Sequence, residues 1–281
     1  MVISIVVMLV ALLLPAVQGA RKQAAATVCQ ARVRQWGILF QTEAAAYQDQ
    51  PFLYAFSTHW SRTVSDDRFD SGRVSGHHVA DEMFLCPMAS RLEKDNVIEC
   101  PDLHTGKVSY QYWGTTFTAS WSLQPDGSIS GVRSYGCNSA LQSMGASASL
   151  DAREKARNPI DAANWLWPAT VKGSTCASVP VFFDGIASGG LWESDKDSPP
   201  PYEDMSIPKV SPENHWWPFC INRHNGGVNY LFLDWSVRKM GLKELWTLKW
   251  NKDFSTTGPW TRAGGVAPED WPPWMRKFKD Y

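Results

Sequence analysis

The feature that most constrains this chain is its first fifty residues. From Val2 to Val17 the sequence is apolar but for Ser4 and Pro15. Sixteen such residues are a little short of a bilayer span, which takes roughly 20 residues of helix. Beyond them, Ala26, Cys29, Val33, Trp36, Phe40, Ala44 and Tyr47 recur at spacings of three and four, which draws one apolar stripe along a helix to about Gln48. Arg21, Lys22, Arg32 and Arg34 fall off the stripe. Pro15 is expected to kink or limit the helix, because it removes one ladder hydrogen bond and clashes one turn back. A continuous helix would run roughly 70 Å at 1.5 Å per residue. Its first half has no use for water, and its second half needs a globular partner.

The rest of the chain is large enough to supply that partner. Basic and acidic residues nearly balance, 27 against 28, so no field steers the protein to nucleic acid. The outlier is tryptophan, at 15 residues. Many stand beside turn formers, as in Trp271-Pro272-Pro273-Trp274, which favours a core-and-turn role over an exposed sugar- or partner-binding face.

Strand signals follow Pro51, where the helix stops. Met83 to Cys86 reads as a short strand before Pro87. Val108 to Leu123 alternates as one or two strands broken near Gly114. Ser134 to Asn138 and Val179 to Phe183 are further strands, the last closed by Asp184-Gly185. Leu150 to Ala156 is expected to be a short helix. Ser194 to Asp204, rich in proline and acid, reads as an exposed loop.

The densest signal is Arg223 to Trp250. Asn225-Gly226-Gly227 is turn chemistry, since Asn and Gly tolerate positive φ. Val228, Tyr230 and Phe232 then alternate with Asn229, Leu231 and Leu233. Two largely apolar faces predict a strand inside a sheet. Asp234-Trp235-Ser236 turns the chain into a short strand from Val237 to Met240. Leu242, Leu245, Trp246 and Trp250 follow at helical spacing, with Lys243, Glu244 and Lys249 left for solvent. From Asp253 an irregular tail begins, with Trp260, Trp271, Trp274 and Phe278 placed to staple it to the head. Division at 1–48, 49–252 and 253–281 gives a helix, a head and a tail, in an α+β fold with a mainly antiparallel sheet.

His224 is a candidate base or ligand. With no nucleophile beside it in sequence, a structural role at the hairpin entry is favoured, and Asp234 reads as a turn-capping residue. His77 and His78 with His59 and His104 could assemble a metal site, which no HxxxH or HExxH spacing supports. The six cysteines form no CxxC pair. Cys86 and Cys100 are closest in sequence and are candidates for a disulfide, against the alternative that all six are reduced. No P-loop, GxGxxG, GxSxG or SxxK occurs, so nothing in the sequence points to an enzyme.

Two segments carry a resemblance. His224, nine residues and Asp234 resemble the His–nine residues–Asp-Gly signature of prepilin-like proteins of planctomycete type, with Trp235 where Gly is usual. VISIVVMLVALLLPAVQGARKQA resembles the apolar half of a type IV pilin or type II secretion pseudopilin leader helix. SYGCN, from Ser134 to Asn138, and the WPPWMRKFKDY tail extend the likeness. It implies a long N-terminal helix packed on a sheet head. It further implies a non-catalytic filament subunit, held in the cytoplasmic membrane and partnered by like subunits through that helix, with the head outside. It also makes Met1 an expected misplaced start, or the true leader an expected loss, since the family's basic leader and Gly-Phe-Thr-Leu-Ile-Glu are not in the sequence as written. No cofactor is implied except calcium, for which Asp184, Asp195, Asp197, Glu203 and Asp204 would supply the oxygen ligands, as in some pseudopilin heads; the alternative is a solvated acidic loop. The competing expectation is a membrane-tethered, Trp-rich module that binds glycan or cell wall.

Overall fold

The computed structural model describes residues 2–46, 73–74, 77–78, 81–89, 91–92, 97–101, 108–112, 114–123, 129–138, 174–186, 189–190, 194–203 and 217–281. Ala44 is described in backbone only. Tyr47, His59, His104, the 150–156 helix and Asp204 lie outside the described residues.

One helix, α1, runs from Val2 to Ala46 and passes through Pro15 without a break. The expected limit at Pro15 is therefore corrected: a proline forfeits one ladder bond, and the turns on either side carry the helix across it. The two halves of α1 meet different surroundings. Leu9, Leu12 and Leu13 are exposed, Leu12 at 71%. Cys29, Val33, Trp36 and Phe40 are buried, Trp36 at 1%. This is the stripe that the spacing predicts. The helix is long and apolar enough to cross a membrane.

Twelve strands follow among the described residues. Arg73–Val74 (β1) pairs with His77–His78 (β2). Arg91–Leu92 (β3), Val97–Pro101 (β4), Val108–Tyr112 (β5), Thr118–Leu123 (β6) and Ile129–Arg133 (β7) form one sheet, in the order β3-β6-β5-β4 with β7 beside β6. Tyr135–Asn138 (β8), Pro180–Asp184 (β9), Gly189–Gly190 (β10), Gly227–Phe232 (β11) and Val237–Gly241 (β12) form the other, in the order β10-β8-β9-β11-β12. Its pairs are antiparallel except β10 with β8. Only Ser134 separates β7 from β8, so the chain steps there from one sheet to the other.

The two apolar faces of β11 explain the layering. Val228, Tyr230 and Phe232 enter a core with Phe183, Phe219, Trp246, Trp250, Trp271 and Met275. Leu231 enters a second core with Cys29, Val33, Trp36, Phe40 and Phe182. The sheet thus lies between α1 and the C-terminal segment. Gly37 lets the helix come close, since a Cβ there would meet Leu231 Cδ1 at 2.8 Å. Trp36 stacks on Phe40 with ring centroids 5.5 Å apart and tilts against Phe182 at 5.5 Å. Burial of side chains such as Val33 and Phe40 contributes ~1.5–3 kcal/mol each.

Other expectations are corrected. Asp81–Phe84 is a short 3-10 helix rather than a strand. Lys243–Thr247 is 3-10 rather than α. Lys243 is not left for solvent: it is buried, with its Nζ 2.6 Å from Asp280 Oδ1 and above the Trp271 ring. The 194–203 loop is pinned by tryptophans. The indole N–H groups of Trp260, Trp246 and Trp274 donate to the carbonyls of Lys196, Asp197 and Pro200, at 3.2, 3.0 and 2.8 Å. That is the polar handle of a ring whose body packs on the core, fully buried for Trp246 and half-buried for Trp260 and Trp274. The tail is stapled as expected, by Trp260, Trp271, Trp274 and Phe278.

A buried thiol, imidazole and carboxylate cluster

The hairpin between β11 and β12 opens from a tight turn. Asn225 and Gly226 have φ of 50° and 82°, as the turn residues predict. Gly227 is constrained differently: a Cβ on it would lie 2.6 Å from the Met240 carbonyl oxygen. At the far turn, Asp234 Oδ1 accepts from the Ser236 N–H at 3.0 Å and from its hydroxyl at 2.6 Å, the capping role expected of it. Trp235 takes φ of 67°, the left-handed conformation that glycine adopts most readily. For a bulky residue that costs on the order of 1–3 kcal/mol.

His224 stands just before the first turn, and its backbone N–H donates to the Gly227 carbonyl at 3.1 Å. That is the structural role at the hairpin entry. Its ring does more. Nε2 lies 3.0 Å from Asp184 Oδ2 and 3.5 Å from Cys86 Sγ. The Cys29 thiol donates to Asp184 Oδ1 at 3.2 Å. The four ligand atoms of Cys29, Cys86, Asp184 and His224 all lie within 4.8 Å of one another, and all four residues are buried.

Four separate elements bring these residues together. Cys29 is on the buried stripe of α1. Cys86 follows the 81–84 turn, its backbone N–H donating to Ser134 Oγ at 2.5 Å. Asp184 ends β9, and His224 precedes β11. Around them, Asp184 Oδ2 accepts from the Asn229 N–H at 3.1 Å and the Tyr135 hydroxyl donates to Cys29 Sγ at 3.4 Å. Arg223 is fully buried and spends its guanidinium on the junction between the sheets. Nε donates to the Thr116 carbonyl at 2.8 Å, and Nη1 to the Ser134 carbonyl at 2.6 Å and Asp184 Oδ1 at 3.4 Å. Nη2 donates to the carbonyls of Thr115 and Gly185 at 3.3 and 3.2 Å. A rigid five-donor fork suits such a convergence of acceptors.

The electrostatics follow from burial and pairing. Burial pushes the Asp184 carboxyl up, but the charge and hydrogen bond of His224, the charge of Arg223 and the Asn229 N–H outweigh it and hold it at about 2. Burial lowers His224, while the Asp184 carboxylate beside it raises it to about 9. Burial raises Cys86, and hydrogen bonds from Cys29 and His224 bring it down to about 7.

A cysteine, histidine and aspartate in contact invite comparison with a nucleophilic triad. Such a relay needs one imidazole nitrogen facing the nucleophile and the other facing the carboxylate. Here Nε2 faces both, and Nδ1 is buried with no partner. With Cys86 at 0% exposure, no substrate reaches the thiol. The four ligand atoms instead converge as a group that could hold a cation.

The other expected sites come out as follows. Cys86 is a free thiol, turned toward His224 and Cys29, so the pairing of Cys86 with Cys100 is not formed; the Cys100 side chain is outside the described residues. The oxygen set for calcium is not brought together among the described residues. Asp184 is drawn into the core, Asp197 Oδ2 accepts from the Ser194 N–H, and Glu203 is taken by Asn222 and Lys277. Asp195 stands beside Gly258. His77 and His78 lie on β2, and among the described residues the cluster above is the one group fit to hold a metal. Sequence reading missed Cys29, Arg223 and the central place of Asp184. The available signals were a cysteine on an apolar helical stripe and a carboxylate ending the apolar run Val179 to Phe183. Comparison with protein-family models, curated proteins and solved structures finds no match to this chain.

Proposed function

We propose that this chain is a structural, non-catalytic subunit of a type IV pilin-like or type II secretion pseudopilus filament. In this reading the first half of α1 sits in the cytoplasmic membrane or in a core of like helices, and the head lies outside that membrane. The observation that carries it is the division of α1. Its second half is seated on the sheet, while its first half leaves Leu9, Leu12 and Leu13 bare. Bare leucines over several turns need lipid or other helices. The resemblance of His224 to Asp234 and of the SYGCN strand supports the same assignment, and the described thiols and imidazole offer no relay for catalysis.

The competing module would present tryptophan to glycan. Trp36, Trp246, Trp250 and Trp271 are buried, and Trp235, Trp260 and Trp274 are half-buried, which removes most of that reading's motive among the described residues.

Filament assembly is tested by adding a cysteine at Leu12, behind a pilin-type leader, in cells carrying a type II secretion system. Oxidative cross-linking in membranes should give a disulfide dimer that depends on the added cysteine, and shear fractions should contain the subunit. Monomer alone in the membrane, with nothing in the sheared fraction, overturns the filament reading. An alkaline phosphatase fusion after Tyr281 tests orientation: activity is expected, and a stable inactive fusion places the head in the cytoplasm.

A further inference from the structure

The described residues hold a cluster that the filament reading does not use. We propose that Cys29, Cys86, Asp184 and His224 bind one divalent zinc ion, which clasps α1 to the head. This stands apart from the filament reading, because all four ligands belong to the seated half of α1 and to the head.

The geometry carries the proposal. Zinc binds thiolate at ~2.3 Å and imidazole or carboxylate at ~2.0–2.2 Å, so a tetrahedron around it has edges of roughly 3.3–3.8 Å. Three of the six spacings are close to that size, and all six fall within 4.8 Å. Cys86 Sγ to His224 Nε2 is 3.5 Å, Cys29 Sγ to the two Asp184 oxygens is 3.2 and 3.5 Å, and His224 Nε2 to Asp184 Oδ2 is 3.0 Å. The slightly short edges lengthen by a few tenths of an ångström when the ligands swing outward about a central ion. Two soft thiolates with an imidazole select zinc over calcium or magnesium, which take oxygen ligands.

Charge supports the same ion. Two thiolates and a carboxylate around a dication leave one net negative charge. The buried Arg223 guanidinium, 3.4 Å from Asp184, offsets it. Two surrounding contacts are of the kind found around metal ligands: the Asn229 N–H orients the carboxylate, and the Tyr135 hydroxyl faces the Cys29 sulfur, while His224 Nδ1 has no such partner. A disulfide between Cys29 and Cys86 would account for the two neighbouring thiols. It would leave unexplained why both also face the imidazole and the carboxylate.

The test uses the full chain purified in detergent, reduced, loaded with zinc and freed of excess. Elemental analysis should find about one zinc per chain, with Cys29 and Cys86 protected from alkylation until a strong chelator is added. Cobalt loading should give a thiolate-to-cobalt charge-transfer band. That band should weaken strongly in Cys86→Ser and stay unchanged in Cys220→Ser, whose thiol lies in the other core. Asp184→Asn, similar in shape, should retain less zinc than the parent. Because the parent chain is read first, a variant that fails to fold does not decide the matter. Absence of zinc after loading of the reduced, folded chain overturns the proposal, whatever the reactivity of the two buried thiols. So does recovery of a disulfide-linked Cys29–Cys86 peptide from unreduced protein that then takes up no zinc on reduction.

Discussion

The two halves of α1 share one backbone and differ in almost everything else. Before about residue 20 the apolar residues go all the way round the helix, and none of those described finds a partner in the chain. After it Cys29, Val33, Trp36 and Phe40 fall on one buried stripe, which lies on β11 and β12, with Val28 and Ile38 left exposed. Helical propensity alone cannot explain both halves, because it says nothing about partners. What differs is the angular distribution of apolar surface. A stripe is satisfied by one sheet face, whereas a fully apolar cylinder needs an apolar medium on every side. One helix can therefore serve as a head's seat and as its anchor.

The largest expected effect comes from cutting the stripe. Trp36→Ala removes a ring packed against Phe40, Phe84 and Phe182, and should destabilise the head by ~4 kcal/mol in denaturant unfolding of the detergent-solubilised chain. Leu12→Ala in the same assay should change it by less than about 0.5 kcal/mol. Equal losses would break the comparison.

Next comes the junction beneath the seat. Arg223→Met leaves Asp184 with His224 as its one cationic partner and removes the donors to four carbonyls, so a loss of about 3–5 kcal/mol is expected by the same unfolding assay. The exposed Arg34→Met should leave the midpoint nearly unmoved, within about 0.5 kcal/mol.

The glycines sharpen the contrast further. Gly37→Val drives a branched side chain into Leu231 and should cost ~1–3 kcal/mol. Nothing lies within 4 Å of a Cβ at Gly19, so Gly19→Val should leave head stability unchanged in thermal melts.

The smallest effect concerns neighbouring cations. Arg32 donates to the Leu85 carbonyl at 2.5 Å, and Arg32→Gln should cost about 1 kcal/mol. A value indistinguishable from zero would mean that this contact does not help hold the helix.

Much of this arrangement could be read from the chain because period and packing agree. Val228 to Leu233 alternates, and both of its faces are buried. Cys29 to Phe40 steps by three and four, and the stripe is seated. The failures have physical causes as well. Leu242 to Trp250 has helical spacing, but a single turn cannot distinguish 3-10 from α when Trp246 and Trp250 are held by tertiary contacts. Lys243 looks like a solvent residue until Asp280, far along the chain, supplies its counter-charge. The cysteine, aspartate and histidine cluster was illegible because its members come from four elements separated by dozens of residues. No short motif records such a convergence; it exists only after β9 and β11 pair and α1 is laid across them.

The central claim is that the two halves of α1 live in different media, and spin-label accessibility measures this directly. A label is attached to a cysteine placed at Leu12 or at Ile38, an exposed position on the seated half, with the chain in proteoliposomes and the parent chain's background subtracted. The account predicts that the label at 12 is relaxed by oxygen and shielded from a water-soluble nickel chelate. The label at 38 should be relaxed by the chelate. Equal access of the chelate to both positions would contradict it.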